Sequence, residues 1–405
     1  MNESLVIIGA GHAAGQLAAS LAQDGFKGAV TLVGEEPHPP YQRPPLSKKF
    51  LAGEVTLDRL YVRPPAFYDK SGVRLMLDTR AVAIDRSART VVIDGGAALP
   101  YTTLVLATGS RPRALPLAGN DLDGVLYLRT VQDVQAIRAR LAAGRRLVIV
   151  GGGYIGLELA AVAARQKLQV TVLEQAPRLM ARGVGPIVSG FYERLHREEG
   201  VNVITGTAVS GFAGDDRVTH VVCGEARHEA DLVVVGVGAA PNVELARDAG
   251  LAVEDGIVVD AQCRTADPAV YAVGDCTRRL HPMLDQNLRL ESVHNALEQA
   301  KIAAASICGR PPPAMETPWF WSDQYDVKLQ MAGLSGGHDT AIVRGSPDSG
   351  RSFAVFYLRD GVLIAVDAVN RMPEFMASKA LIAARARPDP SRLGDERVAM
   401  KAFAV

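Results

Sequence analysis

Cysteine is scarce and scattered: the 405 residues hold four, Cys223, Cys263, Cys276 and Cys308, with no C-x-x-C pair and no histidine cluster beside any of them. That spacing excludes a disulphide scaffold and a zinc-ligand set, and it leaves no redox-active dithiol. Each thiol reads as a small buried hydrophobe. Net charge is also missing, 44 Lys+Arg standing against 44 Asp+Glu, which argues against the broad basic surface of a nucleic-acid binder. No apolar run approaches the roughly 20 residues of a membrane-spanning helix, and MNESLVIIGAG runs straight into a strand without a basic or apolar leader. The expectation is no membrane and a reducing cytoplasm. What remains is 48% hydrophobic residues, 39 Gly and 23 Pro with only 5% aromatics, the profile of an α/β chain of two or three domains.

The glycines are placed to a pattern. Leu5 to Ile8 is a short apolar run followed by Gly9-Ala10-Gly11-His12-Ala13-Ala14, a small-residue helix, the run Ala29 to Val33, and Glu35. Strand, Gly-rich turn, helix, strand and acid form the order of a dinucleotide-binding βαβ unit. Gly9 allows the tight turn, Gly11 lets the backbone approach a pyrophosphate, and Ala14 keeps the helix close to the strand. The pattern returns as Arg146 to Val150, then Gly151-Gly152-Gly153-Tyr154-Ile155-Gly156, a helix through Ala164, the run Val170 to Leu173, and Glu174. In each unit phosphate would rest on a helix amino terminus, and the acid, Glu35 or Glu174, would take a ribose hydroxyl pair. A carboxylate at Glu174 favours NADH because it repels a 2′-phosphate, although Arg178 and Arg182 stand near enough to soften that choice. Two such units imply two cofactors, FAD held tightly and NADH arriving as hydride donor.

Further landmarks are the buried run Leu104 to Ala107 leading into Thr-Gly-Ser-Arg-Pro112, the similar Leu232 to Gly238, and Val270-Tyr-Ala-Val-Gly-Asp275, whose terminal carboxylate could accept hydrogen bonds from a flavin ribityl chain. Ser292 to Ser306 reads as an Ala-rich helix. Phe353 to Leu358 and Val362 to Val369 around Asp360-Gly361 read as a hairpin. In Pro40-Tyr-Gln-Arg-Pro-Pro-Leu-Ser-Lys48 the prolines stiffen the loop, Ser47 can cap a following helix, and Lys48 is either a cation beside a flavin or a solvated helix-start residue.

Taken in order, PPLSK (44–48), LVLATGSRPR (104–113), YLRT (127–130), GGGYIGLE (151–158), AVGDC (272–276), ESV (291–293), NALEQA (295–300), PWFWSDQY (318–325) and VFYL (355–358) resemble the FAD-dependent, NADH-using ferredoxin reductases of bacterial oxygenase systems across essentially the whole chain. The resemblance implies two Rossmann-like dinucleotide-binding domains of glutathione-reductase type and a small α+β carboxyl-terminal domain. Residues 1–110 and 238–315 would form the FAD-binding domain, 111–237 the inserted NAD-binding domain and 316–405 the last. It further implies FAD contacts at Ala13, Glu35, Arg43, Lys48, Ala81, Ala107, Arg129, Asp275 and Val293, with Trp321 near the flavin ring, and NADH contacts at Gly153, Ile155, Glu158, Glu174 and Gly238. Lys48 and Glu158 would meet where nicotinamide stacks, making Lys48, Glu158 and Trp321 the candidate catalytic residues. Ala14 in place of the more frequent third glycine, His294 at a helix start and His38-Pro39 before the loop depart from the pattern.

The expected activity is therefore an NADH:ferredoxin oxidoreductase that passes electrons singly to an acidic 2Fe-2S ferredoxin, steered by Arg63, Lys301, Arg310, Lys328 and Lys401. An NADH oxidase, peroxidase or CoA-disulphide reductase would need a redox cysteine shortly after the first βα unit, and no cysteine precedes Cys223. A flavoprotein of the apoptosis-inducing-factor kind would carry targeting sequence and basic insertions that this chain lacks.

Overall fold

The computed structural model describes residues 3–403. The chain forms two compact units, one of 1–43, 55–111 and 239–315, the other of 44–54, 112–238 and 316–405.

The first unit is built on a five-stranded parallel sheet in the order Val270–Ala272, Thr103–Leu106, Ser4–Ile8, Ala29–Val33, Val73–Met76. Residues 5–8 and 104–106 on its inner strands are continuous Val/Leu/Ile runs, as strands covered on both faces require. The helices His12–Asp24 and Val293–Ile307 pack on one face through Ala14, Leu17, Ala18, Leu21, Ala300 and Ala304. The expected Ala-rich helix is capped by Ser292, whose hydroxyl accepts from the Asn295 amide at 3.0 Å. An antiparallel sheet of Ala81–Asp85, Thr90–Ile93 and Ala98–Pro100 covers the other face.

In the second unit a five-stranded parallel sheet repeats that arrangement, in the order Asn202–Ile204, Gln169–Leu173, Arg146–Val150, Leu232–Val235, Val125–Tyr127. The Gly-rich turn again follows the central strand, at the carboxyl end of the sheet where open α/β folds bind ligands. The same unit holds an antiparallel sheet, Trp319–Gln324, Val327–Gly333, Val362–Val369, Phe353–Arg359 and Thr340–Gly345. The anticipated hairpin turns at Asp360 and Gly361, with φ of 49° and 74°, the positive values of a two-residue turn. The helix Met372–Ala383 covers this sheet, burying Phe375 and Leu381 against Phe356 and Val366.

Candidate functional site

Both Gly-rich turns are forced by contact. Gly9 has φ +111°, and a Cβ there would lie 2.2 Å from the Ala107 carbonyl oxygen. Gly151 has φ +109°, with its Cβ position 2.4 Å from the Gly236 oxygen. The middle glycines, Gly11 and Gly153, are the N-caps of their helices, have no side-chain cap, and face open space where a Cβ would stand. Each turn thus leaves helix N–H groups uncapped beside an unobstructed backbone, the cradle a pyrophosphate requires. FAD and NAD(H) both fit residues of this kind. A Cβ at Gly156 would lie 2.3 Å from the Gly151 oxygen, so only glycine fits there, whereas fully buried Ala14 serves in the first unit.

Within the first unit, Ala13 lies under the Gly274-Asp275 turn, a Cβ at Gly274 falling 3.2 Å from its methyl. Asp275 accepts from Ser110 Oγ at 3.1 Å. Arg43 donates to Glu36 at 2.8 Å and to the Tyr41 hydroxyl at 3.0 Å. Burial opposes its charge, yet Tyr41, Glu36 and Asp275 together raise its proton affinity. Ala107 and Ala81 are buried and Val293 opens its helix. Glu35 is not the register equivalent of Glu174: Val33 and Leu173 bond Gly9 and Gly151 alike, so Gly34 occupies the equivalent place and Glu35 comes one residue later. Its side chain is 71% exposed and meets Arg80 at 3.8 Å.

The second unit joins Lys48 to Glu158. Lys48 Nζ lies 2.7 Å from Glu158 Oε2, and that carboxylate is buried. Ser47 does not cap a helix as expected; it closes the 3₁₀ turn Pro44–Ser47 and donates to Glu158 Oε2 at 2.5 Å. Ser322 donates to Oε1 at 2.6 Å. The bonds of Ser47 and Ser322 to Glu158 were invisible to sequence reasoning, since a contact made through tertiary packing leaves no spacing signal. Glu174 anchors the turn it follows, its two oxygens accepting from the Gly152 amide at 2.6 Å and the Ala176 amide at 2.7 Å. Arg178 bonds Ser189 Oγ and the Val184 and Ala181 carbonyls. Arg182 lies against Gly238, whose φ is +114°. Ile155 is 45% exposed in the first turn of its helix. Arg129 precedes a helix whose Thr130–Asp133 capping box also takes the Arg129 amide. The Trp321 ring lies 5.4 Å from that of Trp319. Tyr154, whose hydroxyl meets Met331 sulphur at 3.2 Å, is pushed up in pKa by burial and then by the charges of Asp367 and Glu158.

The cations expected to steer a ferredoxin are divided between the units, Arg63, Lys301 and Arg310 in the first and Lys328 and Lys401 in the second. Arg310 follows the carboxyl end of the Val293–Ile307 helix, against Asp24 and Gly25. It is a helix length, about 20 Å, from the Gly11 end of the neighbouring helix. Arg63, Lys301, Lys328 and Lys401 are exposed.

All four cysteines are free, and burial pushes every thiol up, Cys263 to about 12. Among the described residues no group of His, Cys, Asp and Glu could hold a metal ion, and no helix is long and apolar enough to cross a membrane.

Comparison with known proteins adds relatives to this geometry. Residues 3–300 match the family described as pyridine nucleotide-disulphide oxidoreductase, and 319–404 match the reductase C-terminal family. Putidaredoxin reductase of Pseudomonas putida is 47% identical over 99% of this chain and 96% of its own. The ferredoxin–NAD(+) reductase component of the anthranilate 1,2-dioxygenase system of Burkholderia cepacia is 44% identical over 99% of both. The crystal structure of the covalent putidaredoxin reductase–putidaredoxin complex matches with a TM-score of 0.97 and 46% identity, over 99% of this chain and 98% of that one.

Proposed function

This chain belongs to the pyridine nucleotide-disulphide oxidoreductase family, and on that premise we propose that it is an NADH:ferredoxin oxidoreductase serving an oxygenase, haem monooxygenase or Rieske dioxygenase. The observation that carries the reading is the pair of turns at Gly9–Gly11 and Gly151–Gly153, one in each unit, whose bounding glycines leave the helix start uncapped and open. When bound, FAD accepts a hydride and gives electrons up singly, so one NADH serves two one-electron acceptors. In this reading 1–110 and 238–315 bind FAD, 111–237 binds NADH, and 316–405 completes the protein.

The chain's own residues bind and orient. The first turn, Arg43 and Asp275 hold FAD; the second turn, Ile155 and Gly238 hold NADH. Glu174 rejects a 2′-phosphate by like charge. Lys48 and Glu158 fix charge beside the reacting rings, with Trp321 as the aromatic neighbour. Hydride transfer between stacked rings needs positioning more than acid or base. The relatives named for ferredoxin reduction support a 2Fe-2S partner, with Arg63, Lys301, Lys328 and Lys401 steering an acidic one. Four unpaired thiols suit a reducing cytoplasm.

Steady-state assay of the flavin-loaded protein with NADH tests this directly. A 2Fe-2S ferredoxin should sustain turnover at least a hundredfold faster than glutathione disulphide, CoA disulphide or hydrogen peroxide. Faster turnover with a disulphide would overturn the assignment.

A further inference from the structure

Behind Glu158 runs a line of buried polar side chains that nucleotide binding does not require. Alternation along the strand Trp319–Gln324 puts Ser322 and Gln324 on one face and Trp319 and Trp321 on the other. Ser322 and Gln324 are buried, and so is His196 in the last turn of the helix Pro186–Glu198. Gln324 Nε2 donates to Ser322 Oγ at 3.1 Å, Gln324 Oε1 lies 2.8 Å from His196 Nε2, and His196 Nδ1 lies 3.1 Å from the Tyr325 hydroxyl.

Donor and acceptor capacities give this line a single direction. The Glu158 carboxylate can only accept, so the Ser322 hydroxyl spends its hydrogen there and receives the Gln324 amide. That turns the amide oxygen to His196, which must carry its proton on Nε2 and accept from Tyr325 on Nδ1. Burial holds the ring neutral, lowering its pKa to about 4. Every donor then points toward Glu158, and aligned bonds polarise one another by about 10–30% each.

We infer that Ser322, Gln324 and His196 form a one-way hydrogen-bond chain that positions the Glu158 carboxylate, and through it the Lys48 ammonium. The inference rests on the reading that Lys48 and Glu158 serve hydride transfer from NADH. With Oε1 taken by Ser322 and Oε2 shared by Ser47 and Lys48, the carboxylate has one orientation. An amide in the middle passes no proton, so the line orients and does not conduct. Ser322, Gln324 and His196 are positioning residues.

Two readouts test it on the flavin-loaded protein. In ¹⁵N NMR, His196, assigned by its loss in His196→Gln, should show the neutral Nε2–H tautomer at pH 7. In stopped flow, Ser322→Ala should lower the limiting rate of flavin reduction about fivefold and the near-isosteric Gln324→Met about two- to threefold, both with flavin retained and NADH Kd changed less than about twofold. An Nδ1–H tautomer overturns the inference. So do unchanged limiting rates in both variants while Glu158→Gln is slow. If Glu158→Gln and Lys48→Ala both reduce at the wild-type rate, the underlying reading fails instead.

Discussion

Lys48 and Glu158 form the buried ion pair on which the proposed chemistry turns. Removing one member of a buried ion pair strands the other charge and costs about 3–5 kcal/mol, against about 0–1 for an exposed pair. Lys48→Ala should slow flavin reduction by NADH at least about tenfold, or about 1.4 kcal/mol of barrier, while FAD stays bound. Bleaching of flavin absorbance in stopped flow measures this, and an unchanged rate would demote Lys48 to a loop residue. Glu174 anchors Gly152 and Ala176, and if it also faces the ribose as proposed, kcat/KM should favour NADH over NADPH in steady-state comparison. A higher value for NADPH would refute the like-charge argument. At this scale the sequence was read unevenly. The turn glycines and Glu174 are legible because each fills a steric or charge requirement at a fixed offset, whereas Glu35 stands one residue beyond that offset. Lys48 with Glu158 became legible only through family resemblance, and Ser322, Gln324 and His196 not at all, since hydroxyl, amide and imidazole groups that meet through tertiary packing leave no spacing.

The two turns occupy separate units, so their loss should separate two binding events. A Cβ at Gly9 or Gly151 meets a carbonyl oxygen within 2.4 Å at positive φ, a conformation costing about 1–2 kcal/mol even without a clash. Gly9→Ala should purify with less than half the flavin of the wild type. Gly151→Ala should keep its flavin and bind NADH at least tenfold more weakly, as read by flavin absorbance and NADH titration. The helix bearing His196 makes a pH prediction. The native ring protonates near pH 4, the unfolded one near 6.5, so between those values the unfolded chain binds more protons. The associated stability is complete above pH 6.5 and is lost as pH falls toward 4, about 2 kcal/mol of it by pH 5. Urea unfolding should therefore show the stability of the wild type relative to His196→Gln falling between pH 7.5 and 5; a constant difference would mean the ring is not held neutral. The parallel strands were legible as uninterrupted apolar runs. The small antiparallel sheets were not, because strands such as Ala81–Asp85 are half-exposed and bulged between Ala81 and Ala83.

For the whole molecule, zero net charge makes partner attraction a local matter. If Arg63, Lys301, Lys328 and Lys401 steer an acidic ferredoxin, its reduction rate should fall several-fold as ionic strength rises from about 0.01 to 0.15 M and the Debye length shrinks from about 30 to 8 Å. The rate of flavin reduction by NADH should change far less. Insensitivity of the ferredoxin step would remove electrostatic steering from the account. The duplicated turn and the order of motifs made the fold class legible, whereas the position of Arg310 depended on how two helices pair, which no single stretch records.

Anaerobic single-turnover mixing of the flavin-loaded protein, one equivalent of NADH and excess 2Fe-2S ferredoxin tests the central claim most directly. Flavin absorbance should bleach on NADH binding and recover as two equivalents of ferredoxin are reduced. Bleaching that persists with the ferredoxin left oxidised would contradict it.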